Sequence, residues 1–478
     1  MDVLSVASEV FPLIKTGGLA DVVGALPAAL KAEGITVRTL VPGYPAVMAA
    51  LGEVRAHRAL PPVLGHTLQV IEAESHGLDL LVLDCPALYD RPGGPYLDAS
   101  GQDWPDNATR FAVLSRVAAD IGKGGLAGWR PDIVHAHDWQ AGLAAAYLHY
   151  DGGPRPGTVI TVHNLAFPGK FAPELASALG LPPESLSPDG VEFYGSLSML
   201  KAGLRFADRV TTVSPGYAAE ILAPEAGMGF DGLLRARGGA VRGILNGIDI
   251  EEWNPSTDLH LETPFTLGGW AARARNKAAL QAAQGLDVDP NALLFGVVSR
   301  LSWQKGLDLL LSAVPDLLDE GAQLALLGAG DPDLEQGFRD AAAAHPGRIG
   351  CVIGYNETMA HQMQAASDAL LVPSRFEPCG LTQLYALRYG AIPVVARVGG
   401  LGDTIIDANP MALHAGVATG VQFAAPTLPL LRAAISRTAT LYRDRPAWRR
   451  MQLNAMETDT SWRGPARAYA ALYRELLA

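Results

Sequence analysis

KTGGLADV, residues 15–22, stands between the apolar run DVLSVAS (2–8) and the helix-patterned ADVVGALPAALKAEG (20–34). A strand, a glycine turn and a helix in that order form the opening half of a βαβ unit, and TVRTLVP (36–42) supplies its second strand. Glycine permits positive φ and lets a ligand approach the backbone without a Cβ in the way. A helix opening near Ala20 aims its free N–H groups and its positive dipole end at the turn, and Lys15 adds a full charge. Together these suit an anion. The alternative is a tight turn with a solvated lysine. Because the two glycines are adjacent, the stretch matches neither GxxxxGK[ST] nor the dinucleotide fingerprint.

The same alternation continues outward. DIVHAH (132–137), TVITVHN (158–164) and RVTTVS (209–214) are further strand-like runs, each beside a helical pattern. It restarts near residue 292 with ALLFGVVSR (292–300), a helix over about 307–319, QLALLGAG (323–330), RIGCVIG (348–354), DALLVPS (368–374) and IPVVAR (392–397). Val/Ile-rich runs separated by helices predict parallel sheets, hence an α/β protein with two Rossmann-like domains. The seam is expected in the stretch from ILNGIDIEEWNP (244–255) to a helix starting near Gly269, which carries Asn, Gly, Pro and Asp without periodicity, and the domains are set at 1–245 and 246–456 with a terminal helical segment 457–478. That last helix carries an apolar stripe, Ala468, Leu472 and Leu476, whose partner surface periodicity does not reveal.

Composition sets the outer bounds. The 478 residues are 49% hydrophobic and 18% charged, with a net charge of −12 and no Lys/Arg run. This is a globular composition without a nucleic-acid or anionic-membrane surface. Cys85, Cys351 and Cys379 are widely spaced and form no CxxC, so neither a disulfide framework nor a structural zinc site is expected, and a reducing cytoplasm fits. The first residues lack a basic region and a cleavage signature, and no apolar run reaches the roughly 18 residues a bilayer requires.

Ligands of parallel sheets bind beyond the carboxyl ends of the strands, which selects the polar residues there. In SRLSWQKG (299–306), Arg300 and Lys305 can hold a diphosphate as a fork and a point charge, and cations offsetting a leaving diphosphate take the place of a metal. The alternative is two surface cations. In HAHDW (135–139), alternation puts His135 and His137 on one face, buried by hydrogen bonds, with Asp138 exposed to ligand. No third ligand follows at a metal-site spacing, so no metal is assigned. His163 and Asn164 end a comparable strand. In SRFEPCGLTQLYALRYG (374–390), Pro378 disfavours helix at Glu377, which then projects from a loop able to meet sugar hydroxyls, while Thr382 opens a helix near a phosphate. Leu381, Leu384 and Leu387 face the core, and VGGLGDT (398–404) is a second glycine loop. Neither GxSxG nor HExxH occurs.

KTGGLADV, HAHDW, TVHN, SRLSWQKGLD, GAGDP and SRFEPCGLTQLYALRYG, in this order, resemble the glycogen and starch synthase family, as do CPALYDRPGGPY (85–96) and ILNG (244–247). The resemblance implies the glycosyltransferase B fold, with an interdomain cleft and a final helix returning to the first domain. It implies transfer of glucose from ADP-glucose to the non-reducing end of an α-1,4-glucan, with the α configuration retained and no cofactor. Lys15, Gly18, Arg300 and Lys305 would bind the diphosphate, Asp21 would lie near the ribose and Tyr355 against the adenine. Asp138, His163, Asn164 and Glu377 would surround the glucose, with Cys379 and Thr382 in the Glu377 loop and Asn246 on the acceptor side. Two departures stand out. The second acid of the Glu-x7-Glu pattern is Tyr385, and Val398 stands where many relatives have Ser or Thr. A transferase of the same fold using UDP-glucose or acting in sucrose metabolism, and a catalytically silent glucan-binding protein, are the alternatives.

Overall fold

The computed structural model describes residues 1–126 and 128–478. The chain forms two compact units, one of Met1–Asn246 with Trp462–Ala478, the other of Gly247–Ser461.

The first unit is built on a nine-stranded sheet. Its strand order runs Val241–Gly243, Arg209–Thr212, Gly157–Val162, Ile133–His137, Asp2–Val6, Thr36–Pro42, Leu78–Asp84, Gln69–Ser75 and Glu53–Ala59. Pairing is parallel as far as Leu78–Asp84, and the last two strands extend the sheet antiparallel. The strands Asp2–Val6 and Ile133–His137 are adjacent. The connections leaving them run to opposite sides, toward Thr36–Pro42 and Gly157–Val162. That divergence is a topological switch point, where open parallel sheets bind ligands.

The C-terminal helix, Arg463–Leu477, packs on this unit against its first helix and sheet strands. Its buried stripe is Ala466, Tyr469, Ala470, Leu472 and Tyr473, packed with Val22, Leu26 and Leu30 of the first helix. Ala468 is exposed, so the stripe runs through the tyrosines rather than through Ala468. The aromatic rings bring the larger apolar area, worth about 1.5–3 kcal/mol for each fully buried side chain, and their hydroxyls need partners. Tyr473 finds one in His135 Nδ1 at 2.7 Å.

The second unit has six parallel strands ordered Ile349–Ile353, Gln323–Gly328, Leu294–Val298, Ala369–Val372, Ile392–Ala396 and Val421–Phe423. Numbered within the unit this is 3-2-1-4-5-6, the doubly wound dinucleotide-fold order, with its switch between Leu294–Val298 and Ala369–Val372. The segment expected as one helix over about 307–319 is two, Leu307–Ser312 and Val314–Asp319, broken at Ala313 ahead of Pro315. Leu384 and Leu387 are buried as the spacing requires. Among the described residues no helix is long and apolar enough to cross a membrane. All three cysteines are free thiols.

Candidate active site

At the switch point of the first unit, two connections carry the polar groups. The KTGG turn follows Asp2–Val6. Its helix begins at Gly18, two residues earlier than the apolar pattern suggests, with Gly17 as an uncharged N-cap. A Cβ placed on Gly17 would meet no atom within 4 Å, so this glycine faces open space. Lys15 lies over the Phe11 ring, 5.2 Å from its centroid, and its ammonium pairs with Asp21 at 2.9 Å. Both side chains stay partly exposed, a setting in which such a pair contributes little to stability and remains open to exchange for another anion.

The turn is held from beneath by a residue that the sequence pattern does not single out. Glu9 is buried, and its carboxylate accepts hydrogen bonds from the Thr16 backbone N–H, from Thr16 Oγ1 at 2.7 Å and from the Tyr96 hydroxyl. Ser8 Oγ reaches the same tyrosine oxygen at 2.7 Å. An acid next to a strand end is visible in the sequence. Tyr96, which closes the network, lies 87 residues away, and no local signal joins them.

The second connection follows Ile133–His137. Asp138 takes a positive φ of 54°, a conformation that Asp tolerates better than most residues. Asp138 is buried, contrary to the expectation of an exposed acid. The left-handed turn swings its carboxylate inward, where Oδ1 accepts the backbone N–H of His163 at 2.6 Å. Burial raises its pKa to about 7 against the lowering effect of the N–H groups of His163 and Asn164, and the charge on Glu9 adds to the rise.

The three histidines beside it are neutral. His137 Nδ1 lies 3.0 Å from His163 Nε2, and its Nε2 lies 3.3 Å from Ser5 Oγ. His135 is held between Tyr473 and Thr161, whose Oγ1 is 2.6 Å from Nε2. Burial drives the His137 pKa down to about 3 and the other two well below their ordinary value. The rings of all three are thus engaged with neighbouring side chains. Asn164 closes a local turn, its Oδ1 accepting the Ala166 N–H at 3.0 Å. Asn246, last residue of the unit's long segment, is buried with no hydrogen bond to Oδ1 among the described residues.

The second unit presents charge at its switch point. Lys305 Nζ pairs with Glu377 Oε2 at 2.5 Å, and Ser374 Oγ donates to the same oxygen at 2.9 Å. Glu377 lies in a loop before Pro378, as Pro dictates, but it is buried rather than projecting into solvent. A buried carboxylate requires a partner, and Lys305 is that partner. Gly306, at φ 68°, sets the approach: a Cβ there would lie 2.0 Å from the Pro373 carbonyl oxygen. Arg375 locks the two loops together, its guanidinium 4.5 Å from the Trp303 ring centroid and forked onto Asp308 at 2.6 and 2.7 Å. Arg375 and Asp308 escape motif reasoning because both resemble ordinary surface charges. Arg300 is exposed, and its guanidinium makes no ion pair or hydrogen bond among the described residues.

VGGLGDT folds as the short helix Gly399–Thr404 and not as a loop. Its glycines are needed for packing: a Cβ on Gly399 would lie 2.2 Å from the Glu377 carbonyl oxygen, and one on Gly400 would lie 2.4 Å from that of Cys379. The Gly400 N–H donates to Glu377 O at 3.1 Å. Cys379 is thereby buried, and Thr382 opens the helix Thr382–Tyr389. Tyr385 packs flat on Trp253, with 3.7 Å between ring centroids. Tyr355 is 78% exposed, and its hydroxyl bonds Glu357.

Each unit thus gathers polar side chains beyond the carboxyl ends of a parallel sheet, and the relatives of the chain make it a glycosyltransferase of two Rossmann-like units. Residues 2–236 match the family described as starch synthase catalytic domain, and residues 278–426 match glycosyl transferases group 1. A glycogen synthase from Rhodopseudomonas palustris is 61% identical over 475 residues, covering 99% of this chain and 97% of that protein. One from Methylocella silvestris is 60% identical over 478 residues, 100% of this chain and 99% of that protein. The catalytic domain of starch synthase IV from Arabidopsis thaliana, solved bound to ADP and acarbose, superposes with a TM-score of 0.88 at 30% identity over 99% of each chain. The chain belongs to the glycogen synthase family.

Proposed function

We infer that this glycosyltransferase moves the glucosyl group of ADP-glucose to the non-reducing end of an α-1,4-glucan, with the α configuration kept. The observation that carries the reading is the Lys305–Glu377 pair beside the uncommitted Arg300 at a switch point, in a chain 61% identical to a glycogen synthase.

In this reading Lys15, Arg300, Lys305 and the first N–H groups at Gly18 bind the diphosphate. Asp21 faces the ribose, and Tyr355, already exposed, offers a flat ring to the adenine. Asp138, His163, Asn164 and Glu377 surround the glucose, the Cys379–Thr382 turn adds backbone N–H groups, and Asn246 serves the acceptor. The bond from C1 to the β-phosphate oxygen breaks, and one from C1 to the acceptor oxygen forms on the same face. The acceptor hydroxyl proton passes to the departing phosphate, whose charge the three cations offset. A double displacement would need a nucleophile on the opposite face. Glu377 is held by Lys305 and Ser374, which favours a role in orienting Lys305.

Glucose incorporation into a glycogen primer, measured with ADP-glucose and with UDP-glucose, tests the proposal. ADP-glucose is expected to give the higher kcat/KM and an α-linked product. A clear preference for UDP-glucose overturns the donor assignment, and no incorporation from either overturns the activity.

A further inference from the structure

Behind the helix Thr382–Tyr389, the second unit holds a cluster that the transfer reaction does not use. His361, on the helix Glu357–Ala366, is fully buried. Its Nδ1 bonds Asp258 Oδ2 at 2.8 Å, and the same oxygen accepts the Tyr389 hydroxyl at 2.5 Å. Its Nε2 has no hydrogen-bond partner among the described residues. The ring lies flat on Trp253, 3.8 Å between centroids at 9°. One ligand atom each from Glu252, His260 and His361 lies within 4.8 Å of the other two. His260 Nδ1 lies 3.1 Å from Thr358 Oγ1, which leaves its Nε2 for another partner.

We propose that Glu252, His260 and His361 hold a divalent transition-metal ion of the zinc class, which ties the segment at 252–260 to the helix Glu357–Ala366. The donor set of two imidazoles and one carboxylate suits zinc, and a tetrahedron with bonds near 2.1 Å places its donor atoms about 3.4 Å apart. Closing the cluster from 4.8 Å or less therefore takes an adjustment of little more than an ångström per pair. The supporting contacts are in place. A carboxylate on the far nitrogen fixes the ring's orientation and directs the Nε2 lone pair at the ion, the arrangement common to metal-bound histidines. Oxygen-only ions such as Mg2+ gain nothing from two imidazoles.

The Glu357 carboxylate lies 3.8 Å from His361 Nε2, a further acidic group facing the same place. No motif announces the site, because Asp258 and His361 are 103 residues apart.

The test uses the full chain, stripped with EDTA and titrated with ZnCl2 by calorimetry, with Co2+ absorption as a second readout. The expected result is one ion per chain, a tetrahedral Co2+ spectrum and a Tm that rises with Zn2+. Glu252→Gln and His260→Ala, both outside the buried core, should each weaken binding at least about tenfold, while Cys351→Ser leaves it unchanged. Absence of saturable binding overturns the proposal. So does binding that survives both ligand variants, or binding that Cys351→Ser abolishes. The reading of the reaction is untouched by any of these outcomes, since glucose incorporation is measured separately.

Discussion

Asp138 and Glu377 are both buried acids at the end of a parallel strand, one in each unit, yet their surroundings differ. Among the described residues Asp138 is hydrogen-bonded by neutral groups, the backbone N–H groups of His163 and Asn164, and its pKa is lifted to about 7. Glu377 has a cation, Lys305, at 2.5 Å. The first arrangement makes a polar surface with little fixed charge, suited to a neutral sugar. The second stores a positive charge beside a carboxylate, suited to a group that becomes anionic during the reaction. Burial alone does not decide what an acid does. The partner does.

Removing that partner is the strongest way to break the comparison. Lys305→Ala leaves the buried Glu377 with Ser374 alone. Turnover should fall about 10²–10³-fold through loss of a preorganised charge, and stability should fall by about 3 kcal/mol through the stranded carboxylate. Adding Glu377→Gln removes the stranded charge, so urea denaturation should show stability largely recovered while kcat stays low. Wild-type turnover in Lys305→Ala would take the lysine out of the mechanism.

Asp138 sharpens the other side. Its pKa stands near 3.9 when unfolded and at about 7 when folded. Between these values the folded state binds more protons, so stability is lost as pH rises from about 4 to about 7. A difference of that size corresponds to at most about 4 kcal/mol. Asp138→Asn keeps an acceptor for the His163 N–H but cannot ionise. Denaturant midpoints of the variant should stay nearly flat over this window while those of the wild type decline. Parallel curves would show that Asp138 ionises as freely as in water.

Much of the architecture is readable from periodicity, because a strand buried on both faces must be a short Val/Ile run and each is followed by a helix pattern. TVRTLVP and the strand Thr36–Pro42 coincide residue for residue. The expected break in character near residue 245 rests on turn residues alone. The helix break at Ala313 is not legible, since Pro315 permits a first turn as readily as it ends a helix. In the site, residue type fixes the strand-end position of Asp138 and Glu377 but not their burial, which depends on a left-handed turn and on loop contacts across 72 residues. The Glu9–Tyr96 and Arg375–Asp308 pairs are hidden for the same reason: each half looks ordinary until the fold brings in the other.

The two glycine pairs give the smaller contrasts. Gly400 faces the Cys379 backbone, and a methyl group on it would stand 2.4 Å from the carbonyl oxygen and 2.5 Å from Cα. Gly400→Ala must therefore push the Glu377 loop away, at a cost of about 1–3 kcal/mol as overpacking does. Urea unfolding should show this together with a lowered kcat. Unchanged stability would mean that the loop yields freely and does not fix Glu377.

Gly17 should show the smallest effect on stability and the most selective effect on binding. Its φ of −162° is extended backbone that any residue adopts, and a Cβ there meets nothing within 4 Å. Gly17→Ala should thus leave stability within about 0.5 kcal/mol of wild type. If the diphosphate approaches the first N–H groups of the helix at Gly18, that methyl intrudes on it, and the KM for ADP-glucose should rise severalfold with Tm unchanged. Equal KM values would mean that the open space at Gly17 is a solvent-filled turn, and that Lys15, already paired with Asp21, has no diphosphate to meet there.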